Sequence, residues 1–496
     1  MFDEVYKIVI ESNDFEELKR KLEKLHIDAI TKKNGFVATT ACQIAIEGQN
    51  DKVEWMRQLG ASVDHIANGY AMAGNHERVE AYRREHGARV DSIARGYAMA
   101  GNHERVEAYR SEYGARVHLI AKSYAMAGND ERVEAYHIEH QASVDAIAEG
   151  YAIAGNHERV AAYRSDEYAD RDVIACGYAL GGYHEQVEVY RSEHYASVND
   201  IAHGYALGGY HEQVEAYRCE HYANVDDIAQ GYALAGNHGR VEAYRSEHGA
   251  DRNTIAYGYA LGGYHEQVEV YRCEHYANVD NIAQGYALAG NHGRVEAYRS
   301  EHGASVHFIA YGYAMAENHE RVEAYRNEHY ADVDAIAQGY AIAENHKRVK
   351  AYRTEHRADV DAIADGYEFI GNIVREKKYR KYSINLLMDS YLKDRTEVTD
   401  SSGITKEYFY GSFFSCFQKS FTQKRSAVSA LKAALDGDNV DLSEHLSTLR
   451  NGKLGEELRA FIKSGKGYAL VGKEVTTVSD FVQALQDNCS RRPQPV

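Results

Sequence analysis

The chain has 496 residues, of which 27% are charged and 44% apolar, with a formal net charge of -18; this is the composition of a folded protein, not of a disordered one. So acidic a surface works against nucleic acid as a partner, no apolar run is long enough to span a bilayer, and MFDEVYK lacks the cationic and apolar opening of a secretory leader. Six cysteines are too few for a disulfide framework, which points to a soluble protein of a reducing compartment.

The first predicted element is a helix in DFEELKRKLEKL, where Phe15, Leu18, Leu22 and Leu25 form one apolar stripe. Residues 1–38 therefore read as an N-terminal helical cap.

Residues 39–380 are periodic. Ile-Ala opens a unit at Ile66, Ile93, Ile120, Ile147, Ile174, Ile201, Ile228, Ile255, Ile282, Ile309, Ile336 and Ile363, each 27 residues after the last. A worn copy, with Ala45, Gly48 and Val53, precedes them. Within unit 1, Val63, Ile66, Ala67, Tyr70 and Ala71 follow helical spacing. Asp64 is placed to cap that helix and Gly74 to end it; Asn75 then caps a second helix carrying Val79 and Tyr82. Two short helices cannot bury a core alone, whereas stacked neighbours can. The predicted fold is an all-α solenoid of paired antiparallel helices, about 100–120 Å along its path and curved into a superhelix.

Turn positions vary. The Gly87 position holds Gln141, Tyr195 and Arg357 in other units, so it is not expected to demand a positive φ. At the Gly74 position Glu317 and Glu344 replace glycine, and altered helix ends are expected there. The tyrosines of the Tyr70 and Tyr82 positions are expected to stack with their hydroxyls reaching the surface.

The phrase HERVEAYRREHGA, from His76, resembles the second helix of the ankyrin repeat: His76, Val79 and Glu85-His86-Gly87-Ala88 fall where that family has its turn histidine, mid-helix valine and closing Glu-His-Gly-Ala. The resemblance implies paired helices and protein binding. At 27 residues the unit lacks the family's β-hairpin and its Thr-Pro-Leu-His phrase, so the usual binding edge does not carry over.

Residues 381–490 lose the repeat and read as a C-terminal helical domain, with 491–496 as a flexible tail. The stretch from Lys424 to Lys466 is similar in style to C-terminal segments of type IV (Dot/Icm-type) effectors of intracellular bacteria. That resemblance implies delivery into a host cytosol and a host protein as partner.

HEQVE is not HExxH, because glutamate stands where a second zinc-binding histidine is needed, and a dozen copies of one site describe architecture better than chemistry. Asp436, Asp438 and Asp441 miss the spacing of a calcium loop and read as a turn with an Asp441 cap. Cys416 and His445 make a weak cysteine-enzyme dyad. The expectation is thus a non-catalytic scaffold with no cofactor and no metal, the alternatives being an enzyme whose active site lies in the C-terminal domain and a passive spacer. Its binding face is expected along the variable positions of Ser62, His65 and Asn68, where Tyr257, Phe308, Tyr311 and His203 are the residues assigned to the partner.

Overall fold

The computed structural model describes residues 2–24, 33–58, 61–166, 169–343, 345–369, 372–399, 405–407 and 421–490. It is helical throughout except for one short antiparallel hairpin that pairs Glu397 with Glu407 and Thr399 with Thr405. Two compact bodies emerge, Met1–Asp332 and Val333–Val496.

The first body begins with two helices, Phe2–Glu11 and Phe15–Lys24, and Leu18 of the predicted stripe is fully buried. Leu25 lies outside the described residues. The worn copy is a genuine layer, with helices Lys33–Ile46 and Asn50–Gln58 and Ala45 and Val53 in the core. Unit 1 follows with Val63–Met72 and His76–Glu85. The pattern repeats to unit 10, with Val306–Met315 and His319–His329.

Each of units 1–10 contributes the same apolar set, here Ile66, Ala67, Tyr70 and Ala71 against Val79 and Tyr82, all buried. The first helices pack so closely that a Cβ on Gly69 would lie 2.4 Å from the Cys42 carbonyl oxygen, and one on Gly96 2.5 Å from that of Asn68. Glycine here permits contact between backbones. Unit 3 has Ser123 instead, its hydroxyl turned back onto the Leu119 carbonyl at 2.6 Å.

Polar bonds join each layer to the next. The Asp64 carboxylate accepts from the Arg89 backbone N–H at 2.7 Å, and Asp91, Asp145, Asp172, Asn199 and Asp226 do the same one layer on. The helix cap expected of Asp64 belongs instead to Ser62, whose hydroxyl accepts from Asp64 N; the helix starts two residues earlier than an Asp64 cap implies, which frees Asp64 for its neighbour. Asn75 does cap the second helix, accepting from Arg78 N.

The tyrosine hydroxyls do not run out to water. Tyr82 donates to Glu54 at 2.8 Å, Tyr109 to Glu80 at 2.7 Å and Tyr244 to Glu215 at 2.9 Å, while Arg83, Arg218 and Arg245 hold the glutamate of their own unit. At the other ring, His76 Nδ1 meets the Tyr97 hydroxyl at 2.9 Å, and His103 meets Tyr124 at 3.0 Å. A hydroxyl buried this deep needs a partner, and the neighbouring layer supplies one. Where a unit has a second histidine it packs on a ring, as His86 does on Tyr82 at 4.9 Å between centroids, and in unit 2 Tyr113 takes that place on Tyr109.

Both turn expectations are corrected. Gln141, Tyr195 and Arg357 keep a positive φ of 55°, 57° and 59°, so the position imposes the left-handed conformation even on side chains that disfavour it. Glu317 likewise holds φ at 55° and its helix ends as the glycine units do; backbone bonds such as Asn318 N to the Tyr313 carbonyl fix the turn whatever residue occupies it. Glu344 lies outside the described residues.

In the second body, the first helix of unit 12, Val360–Phe369, packs against a long helix, Ile373–Thr396. The boundary expected at 380/381 falls inside that helix. Arg380, almost fully buried, gathers Asp361, Asp365, Glu368 and Glu376 around its guanidinium. Beyond it, the helices Phe421–Asp436, Leu446–Arg450, Gly452–Lys463, Lys466–Val471 and Val478–Ser490 close a core around Leu431, Leu449, Leu458 and Phe481, which also takes Ile384 and Met388 of the long helix.

Candidate binding surfaces of the coil

Close approach between units is confined to their first helices, so the first body curls with those helices inside. It curls far enough to meet itself. Arg89 Nη1 donates to the Leu261 carbonyl at 2.8 Å, the Asp64 carboxylate lies against Gly263, and His118 Nε2 meets Glu317 Oε2 at 2.6 Å. These contacts join units 1–3 to units 8–10, six or seven units farther along the chain. His118 Nδ1 accepts the Ser143 backbone N–H at 2.8 Å, while Nε2 is buried without a hydrogen bond, so its contact with Glu317 is one of close approach. Tyr264, buried between Asp64 and Arg89, has its phenol pushed up by burial.

Seven first helices per turn at about 8–10 Å spacing place opposite helix axes roughly 18–22 Å apart, which leaves about 8–12 Å between their surfaces. An extended chain fits such a width; a folded domain does not.

The variable positions of His65 and Asn68 line this concave wall. His65 is exposed by area yet enclosed by protein, and that desolvation, with Arg95 and Arg89 adding to it, lowers its pKa to about 4 against the pull of Asp64. Lys122 and Glu149 pair at 2.6 Å. Cys176 is held protonated by burial, with Glu149 and Lys122 as neighbours. Among the four residues assigned to the partner, Tyr257 and Tyr311 are half-buried, and Phe308 is 45% exposed. Burial pushes the Tyr257 phenol up to about 12; Tyr311 adds to the rise, and Arg116, far back in the chain, opposes it. Tyr257 thus stands within electrostatic reach of Tyr311 and of Arg116 in an earlier unit. His203 is engaged separately, its Nδ1 3.0 Å from the Asp227 carbonyl. Ser62, on the same predicted side, is a buried helix cap.

The remaining polar motifs resolve into structure. The His-Glu phrase is spent on the bonds between layers described above. Asp441 Oδ1 accepts from Ser443 N at 2.8 Å and from Gln486, while Asp436 pairs with Lys381. Among the described residues no group of three or more histidine, cysteine or acidic side chains is arranged to hold a metal, and no helix is long and apolar enough to cross a membrane. His445 is half-buried; Cys416 lies outside the described residues.

Sequence reasoning missed the contact between turns, although its trace is there to read. Arg89 and Arg116 stand at a cap position otherwise filled by serine, asparagine or aspartate, and His118 replaces an aspartate. Arg89 and His118 make turn-to-turn contacts directly, and Arg116 stands within electrostatic reach of Tyr257. No known family model and no curated protein matches the chain.

Proposed function

We propose that the protein is a non-catalytic scaffold that binds another protein along the concave wall of its repeat coil. One observation carries this reading: the core residues of units 1–11 are the same, whereas the wall residues change from layer to layer, among them Phe308, exposed on the wall that also holds Tyr257 and Tyr311. Aromatics that stay partly open in a concavity are the usual anchors of an interface, and the width of the coil favours an extended segment of the partner. The style of the Lys424 to Lys466 stretch supports a finer reading, a translocated bacterial effector whose partner is a host protein in the host cytosol.

The test uses the full chain as bait for a cross-linked partner, followed by affinity measurement with Phe308→Ala/Tyr311→Ala. The double variant is expected to weaken binding by about 2 kcal/mol, some thirtyfold, with its helicity intact. Unchanged affinity removes the concave wall as the binding face.

A further inference from the structure

A second surface stands out on the opposite, convex side, where the second helices end. Tyr195, Tyr222, Tyr276 and Tyr330 are 76%, 88%, 76% and 84% exposed. All four sit in the left-handed region, at φ between 54° and 59°. The same position is glycine at Gly87, Gly114, Gly249 and Gly303, which shows what the turn itself asks for. A tyrosine there strains the backbone and leaves a large ring in water, and none of the four rings takes part in a ring contact inside the fold. Strain that the fold does not need points outward, to something the ring touches.

The surroundings say what that is. Two residues before each tyrosine stands an exposed glutamate, Glu193, Glu220, Glu274 or Glu328. Unlike Glu188 and Glu215, which are held by Arg191 and Arg218, these four carry no ion pair. The second helices also point their negative ends at this edge, and Arg171, reaching across to the His194 carbonyl at 2.8 Å, shows a guanidinium already satisfying one of them. Open tyrosine faces, unpaired carboxylates and helix C-termini all attract the same group, a planar cation.

We propose that Tyr195, Tyr222, Tyr276 and Tyr330 with their four glutamates form a docking ledge for an arginine-rich extended polypeptide. This surface is separate from the concave wall and stands or falls without it. Adjacent layers are at least about 8–10 Å apart, which an extended chain covers in about three residues, so Tyr195 and Tyr222 accept arginines three or more residues apart.

The experiment measures binding of fluorescein-labelled nonaarginine and nonalysine to the full chain at physiological salt. The quadruple variant Tyr195→Gly/Tyr222→Gly/Tyr276→Gly/Tyr330→Gly is expected to melt higher than the parent, because glycine relieves the strain, while it binds nonaarginine at least tenfold more weakly and loses the preference for arginine over lysine. As a control for bulk charge, Glu77→Gln/Glu104→Gln/Glu158→Gln/Glu185→Gln removes four exposed carboxylates from the opposite ends of the second helices and is expected to leave the arginine preference in place. Nonaarginine affinity within twofold of the parent, equal loss in the control variant, or a parent dimer that the tyrosine changes dissociate without affecting peptide binding would each overturn the proposal.

Discussion

Neighbouring units and units seven apart are held together by different means. Neighbours share one set of bonds used again and again: glycine against a carbonyl, aspartate to the next backbone N–H, tyrosine to glutamate. Units seven apart meet through contacts that each occur once, Asp64 against Gly263 and His118 to Glu317. Repetition encodes the local stack, and departures from repetition encode the closure of the coil. In a sequence of near-identical units the rare residue therefore carries the long-range information.

The most severe way to break the local stack is at its closest approach. Gly150→Val puts a Cβ 2.5 Å from the Lys122 carbonyl oxygen, and a clash with backbone costs about 3 kcal/mol or more; circular dichroism should show loss of the cooperative melt of the array. Gly150→Ser should do less harm, as Ser123 already occupies the equivalent place in unit 3.

Acid should come next. His238, His265 and His292 have pKa values lowered to about 4, chiefly by burial, whereas His103 is lowered more modestly. The unfolded chain takes up these protons from about pH 6.5 downward. In the window from about 6.5 to about 4 the unfolded state thus binds more protons, and stability falls as the pH drops through it while being fully present above. Glu80 and Glu188, lowered first of all by their arginine partners, add a further loss only below about pH 4.3. A melting temperature clearly lower at pH 5 than at pH 7.5 is the expected result.

Unit 4 offers a smaller test already built into the chain. Ala161 stands where units 1–3 and 5–10 have the bridging glutamate, and Arg164 is left with a buried Nε that has no hydrogen-bond partner. Ala161→Glu should stabilise by about 1 kcal/mol by giving both Arg164 and Tyr190 a carboxylate, and Tyr217→Phe, which removes the bond to Glu188, should cost a similar amount. Thermal denaturation of the two variants checks both. Glu317→Gly should change stability least, by under about 1 kcal/mol, because relief of its left-handed strain offsets loss of the His118 contact.

Much of the fold was legible because period and pattern agree: the spacing of Ile66, Ala67, Tyr70 and Ala71 admits one helix face, and glycine-asparagine after it admits one turn. The role of Asp64 was not, since a carboxylate near a helix start caps its own helix or bonds a neighbour with equal ease, and only the packed layers decide. The face holding Tyr257, Phe308 and Tyr311 was found from its variation, but its concavity was hidden, because curvature follows from how closely Gly69 approaches Cys42. The tyrosine ledge escaped for a further reason. Sequence shows Tyr222 in place of glycine but does not show that the backbone stays left-handed beneath it.

Closure of the coil is tested most directly by cross-linking across it. With the native cysteines replaced, His118→Cys/Glu317→Cys should be joined rapidly and within one molecule by a short thiol-specific linker. Asp226→Cys/Glu317→Cys, which takes its first cysteine from unit 7 on the far side of the turn, should not be joined. Failure of the first pair to link in the folded protein, or equal linking of both, would contradict a coil of seven units per turn.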